Sequence, residues 1–144
     1  MMVNPMRSLR KRYQRGTSVV EMAIVLPLLL TLIFAIGEFG MMYMQWQTLT
    51  NAAREGARVG VVWRGGNCVA ADVTTEIQSA VDQYMLHTGV PTATITTTST
   101  GVCTGSGTQL RVTSQVPYAF VALPFLAGLQ SSINLGSSST MRNE

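Results

Sequence analysis

The chain has 144 residues, a length that sets a prior of one compact domain plus whatever a hydrophobic run contributes. Apolar residues make up 47% and charged residues 12%, well under the roughly 25% usual in soluble proteins, because no charge lies between Glu21 and Glu38. The net charge of +3 comes from a tail: Arg7, Arg10, Lys11, Arg12 and Arg15 precede Gly16 with no acid among them, whereas from Thr17 onward five arginines face seven acids. That distribution argues against nucleic-acid binding and for a basic flank to a membrane segment.

Residues 1–16 are polar and basic, with Pro5 and Gly16, and read as a flexible leader held in the cytoplasm by its positive charge. From Thr17 to about Val62 the pattern predicts one long helix. Met22 to Gly37 is apolar almost all round and measures about 24 Å as helix, short of the roughly 20 residues that cross a bilayer. With Glu38 at the outer surface the span extends through Phe39 to Tyr43, and Tyr43 and Trp46 fall where aromatic rings favour the membrane interface. Pro27 lies inside the run and is expected to remove one backbone bond and kink or loosen a turn.

In the second part of this helix, Gln47 to Val62, the small residues Ala52, Ala53, Gly56, Ala57 and Gly60 gather on one side and Asn51, Arg54 and Arg58 on the other. Ala52, Gly56 and Gly60 form a small-residue stripe suited to close helix packing, either on the protein's own head or against a partner helix. Gly65 and Gly66 end the helix. A second helix is expected over Val69 to His87, with Val73, Ile77, Ala80, Val81 and Tyr84 recurring at helical spacing and Gly89 and Pro91 stopping it.

The texture then changes. Thr92 to Thr100 is β-branched and predicts a strand. Gly101 to Gly107 reads as a glycine-rich turn. Leu110, Val112 and Val116 alternate with Gln109, Arg111, Thr113 and Gln115, which completes a hairpin. Ala119 to Leu129 is an apolar crossover that either covers the core or touches a membrane or partner. Ser131 to Arg142 supplies a third strand. The fold class is α+β: a long transmembrane and assembly helix, then a small head with a second helix and an antiparallel sheet of about three strands. The boundaries are a leader over 1–16, a helix over 17–62 and an extracytoplasmic head over 63–144.

Cys68 and Cys103 both lie beyond the apolar run, where an oxidising compartment permits one disulfide; two unpaired, buried thiols are the alternative. Metal binding is not expected, since His87 is the single histidine and no CxxC spacing occurs. The carboxylates show no tight pairing and Gly65-Gly66 lacks the lysine of a phosphate loop, so neither catalysis nor a cofactor or small-molecule substrate is expected.

The feature that asks for an explanation is Glu21. A lone carboxylate in an apolar helix costs roughly 2.5 kcal/mol near the bilayer centre and less near its surface. It follows a basic leader ending in Gly16, in the order R-G-T-S-V-V-E. A peptidase at the cytoplasmic membrane face would meet Gly16-Thr17 in extended chain ahead of the helix. Cutting there removes the five clustered positive charges and exposes an amine on Thr17. In a stack of such helices, Glu21 of one subunit can pair with that amine on another, which favours correct register. Two ordinary readings compete: a secretory signal cut after Gly37, and an uncleaved single-span anchor.

At these residues the chain resembles the TadE-like minor pseudopilins of the bacterial tight-adherence pilus system, within the type IV pilus superfamily. The likeness rests on RGTSVVEMAIVLPLLLTLIFAIGEFG followed by TNAAREGARVGVV, over Gly16 to Val62, and returns in the closing SSSTMRNE. Met22 stands where many members carry an aromatic residue. The resemblance implies cleavage by a prepilin peptidase between Gly16 and Thr17, with Glu21 fifth in the mature chain. It implies an assembly helix that includes Pro27, a single pass through the bacterial inner membrane with the head in the periplasm, and other pilins or pseudopilins as partners. The alternative function is a single-span binding or adhesion module that does not polymerise.

Overall fold

The computed structural model describes residues 6–62, 65–86, 89, 94–121, 124 and 131–143, with the side chains of 6–15 excepted. Helix α1 runs over Met6–Gly60, helix α2 over Ala70–Met85, and strands β1, β2 and β3 over Thr96–Thr100, Gln109–Ala119 and Ser132–Arg142. The strands form one antiparallel sheet in the order β1-β2-β3.

The start of α1 differs from the expected one. The helix begins at Met6, not Thr17, so the Gly16-Thr17 bond expected in extended chain lies inside a helix. The physical reason is composition: Met, Leu, Arg, Lys and Gln between positions 6 and 15 are good helix formers, and one glycine costs only about 1 kcal/mol. The helix closes at Gly60, close to the expected end near Val62, with the Val61 amide donating to the Ala57 carbonyl at 3.1 Å as the chain turns away.

Both helices pack on one face of the sheet. Leu49 and Ala52 of α1, Val81 and Met85 of α2, Val116 and Tyr118 of β2 and Leu135 of β3 form one buried cluster. Ala57, Val73, Ile77, Leu110 and Val112 form a second, further along α1. The α2 core row is Val73, Ile77, Val81 and Met85, each four residues after the last, whereas Tyr84 is exposed. Tyr84, expected on the core face, yields that place to Met85, which continues the i, i+4 row from Val81 against the packed elements.

Along β2 the residues alternate as the sequence predicts, with Leu110, Val112, Ser114, Val116 and Tyr118 buried. Ser114 keeps a hydroxyl partner on Thr97 of β1 at 3.2 Å, which makes its burial tolerable. The opposite face is polar and exposed, from Thr96, Thr98 and Thr100 through Arg111 and Gln115 to Ser138 and Thr140.

The strand expected over 92–100 is seen at Thr96–Thr100, and its first residues lie outside the described ones, as do His87, Pro91 and most of the apolar crossover. Gly101 opens the β1-β2 turn at φ +83°, where an added Cβ would overlap the Gln109 carbonyl oxygen. Asn143 closes the far end of the sheet: its side-chain amide donates to the Gly101 carbonyl at 2.9 Å and to Thr108 Oγ1 at 2.8 Å. Cys68 and Cys103 are joined in a disulfide with Cα atoms 5.7 Å apart, which ties the α1-α2 connection to the same turn.

Candidate membrane and assembly site

Helix α1 has two unlike halves. From Gly16 to Gly37 every residue is exposed apart from the half-buried Thr31 and Ala35, although the side chains are Val, Ile, Leu, Met and Phe. Those 22 residues rise about 33 Å, close to the roughly 30 Å of a bilayer's hydrocarbon core. The Gly16–Gly60 stretch is long and apolar enough to cross a membrane, with a window of mean hydropathy 2.6 that is not buried among the described residues.

From Glu38 onward the same helix is built into the head. Glu38, Leu49, Ala52, Ala53, Gly56, Ala57 and Gly60 are buried, with Met42 and Gln45 half-buried between them. Steps of three and four along this row form one continuous stripe that faces α2 and the sheet. The small residues let the elements approach. A Cβ on Gly60 would lie 2.5 Å from Leu110 Cδ2 and 2.8 Å from Ile77 Cδ1, and one on Gly56 would lie 2.8 Å from Val81 Cγ2. The stripe of Ala52, Gly56 and Gly60 is therefore occupied by the protein's own head.

Glu38 marks the junction between the halves. The sequence puts it at the outer face of the membrane, and within the head it is 4% exposed. Its Oε1 accepts the Val121 amide at 2.6 Å, and the Tyr118 hydroxyl donates to its backbone carbonyl at 3.2 Å. The burial has a physical cause: the β2 strand runs antiparallel to α1 and delivers its last residues to this point, where a carboxylate can satisfy an amide beyond the sheet ladder. Burial, and then the negative charge of Glu38, push the Tyr118 hydroxyl pKa above its usual value. Tyr118 also meets Phe120 edge to face, with ring centroids 5.3 Å apart.

Trp46 faces the head rather than standing free: its Nε1–H donates to the Gly136 carbonyl at 3.3 Å, and its ring lies 5.9 Å from that of Tyr43. Inside the bare half, Pro27 sits in unbroken helix, and the Thr31 hydroxyl donates back to the Pro27 carbonyl at 2.8 Å. On the exposed side of the buried half, Arg58 reaches both oxygens of Glu55, at 3.0 and 2.6 Å, which holds the Glu55 carboxyl below its usual range.

Glu21 is exposed on the bare half and has no ion-pair partner among the described residues, where the salt bridge present is Arg58 with Glu55. It lies 17 residues before Glu38, about 25 Å along the axis. With Glu38 at one face of the bilayer, Glu21 falls just inside the other, and Thr17 one turn beyond it. A charge at that depth costs much less than at the centre. Gly16 and Thr17 are exposed, with nothing near the position of a Gly16 Cβ.

Comparison with known proteins adds one finding. The family model of TadE-like proteins matches residues 16–58. The match spans both halves of α1, so the resemblance drawn from the sequence holds over the helix that carries these features. No curated protein and no solved structure matches the chain.

Proposed function

Starting from a chain that is TadE-like over residues 16–58, we propose that it is a minor pseudopilin that takes part in assembling a tight-adherence pilus for adhesion and surface attachment. It sits in the bacterial inner membrane by one pass, with the leader in the cytoplasm and the head in the periplasm. A prepilin peptidase removes residues 1–16. The new Thr17 amine of one subunit neutralises Glu21 of a neighbour, while the bare half of α1, Pro27 included, packs among other pilin or pseudopilin helices. The chain carries out no catalysis in this reading.

The observation that supports it most is the pairing of a TadE-like match with a bare apolar helix whose single acid lies five residues after Gly16. Loss of that acid's partner would be costly, which suits registration between subunits. Because α1 is helical through Gly16, the peptidase must act on a locally unwound segment, and glycine is the residue at which a helix opens most readily.

Intact mass and N-terminal sequencing of the protein from its native membrane test the reading. A chain that begins at Thr17 is expected. The continuity of α1 from Met6 favours a second reading, an uncleaved single-span anchor carrying a binding or adhesion head. A chain that keeps residues 1–16 would establish that one instead.

A further inference from the structure

We propose that the base of the head makes a second contact with the membrane, with Val121 seated in the lipid interface beside the spanning helix. This rests on the reading of Gly16 to Gly37 as the span.

Strand β2 descends antiparallel to α1, from Leu110 beside Gly60 to Tyr118 beside Glu38. Val121 comes three residues later and is bonded to the Glu38 carboxylate, so it lies at the level where the bare helix enters the head. Glu38 is the first buried residue of α1 from Gly16 onward, and Gly37 the last of the run that matches the bilayer thickness. The lower edge of the head is thereby placed at the membrane surface.

The chemistry at that edge is apolar. Val121 is 82% exposed, and Phe39, one residue past Glu38, is 58% exposed. In sequence, no charged residue occurs from Gln115 to Gln130. An exposed valine at the end of a membrane span has lipid available to cover it, and burying it there recovers part of the roughly 1.5–3 kcal/mol of a full transfer. A backbone amide that enters such a layer needs an internal partner, because lipid offers none. The Val121 amide has one in Glu38 Oε1.

The test uses the full chain in vesicles of phosphatidylethanolamine and phosphatidylglycerol. Val121→Cys, Leu30→Cys and Thr98→Cys variants each carry an environment-sensitive fluorophore, attached after the native disulfide has formed. All three positions are exposed, so the labels should not disturb the core. With nitroxide-labelled lipid present, the probes at Val121 and Leu30 should lose fluorescence, while the Thr98 probe on the outer sheet face should not. A Val121 probe that behaves like Thr98 while Leu30 is quenched overturns this inference and leaves the span intact. An unquenched Leu30 overturns the span and this contact together.

Discussion

A single carboxylate decides how the bare and buried halves of α1 meet. Glu38→Ala would remove the carboxylate that accepts the part-buried Val121 amide, and losing a hydrogen bond to a charged group costs about 1.5–3 kcal/mol. Denaturant unfolding of the full chain in detergent should show that loss. Tyr118→Phe removes a single hydroxyl bond to the Glu38 carbonyl and should cost about 0.5–1.5 kcal/mol in the same measurement. Tyr118 also predicts a pH dependence. Its pKa is raised in the folded protein by burial first and by Glu38 second, so the folded state holds this proton more tightly than the unfolded chain does. Its contribution is complete below the unfolded tyrosine value of about 10 and declines as pH rises from there through the folded value. Thermal unfolding across that alkaline range should show a decline that Tyr118→Phe reduces. Of the two acids in the apolar region, sequence reasoning reaches Glu21, whose position after a basic leader is a local pattern. The burial of Glu38 was not legible, because the amide that Glu38 serves lies 83 residues away and no local spacing announces it.

The glycines of α1 differ in what lies beside them. Gly60→Ala places a methyl group against Leu110 and Ile77 and should destabilise by about 1–3 kcal/mol, as overpacking does. At Gly40 nothing lies within 4 Å of an added Cβ, so Gly40→Ala should leave the head's stability unchanged or raise it by up to about 1 kcal/mol. Unfolding midpoints of the two variants side by side check the contrast. The head elements were legible because each carries its own period: four-residue steps in α2, and strict alternation from Leu110 to Tyr118. The choice of Met85 over Tyr84 needed the packed partner. The start of α1 at Met6 escaped because basic charge suggested a solvated leader, although the residues there are good helix formers. The continuous row from Glu38 to Gly60 was open to sequence reading through its three-and-four steps, but a glutamate at its head hides the pattern.

At the level of the molecule, one covalent tie joins the helix layer to the sheet. Reducing Cys68–Cys103, which are 35 residues apart, frees the α1-α2 connection from the β1-β2 turn and should lower stability by about 4 kcal/mol at most. Unfolding with and without reductant measures it. The assembly prediction belongs at this scale too: Glu21→Ala should insert into the membrane as well as the native chain or better, yet fail to support normal piliation. Normal piliation in that mutant would remove the reason given for the charge.

The lower rod and the globular top share one unbroken helix, and the top grips it along more than twenty residues, from Glu38 to Gly60. Rotation of the rod about its own axis is thereby transmitted to the head without slack. One residue inserted between Glu21 and Glu38 would turn the head by about 100° relative to the membrane-embedded acid and lift it by about 1.5 Å. Seven inserted residues would bring it back to within about 20° of its first heading. The direction in which the head looks is thus written as a phase in the span.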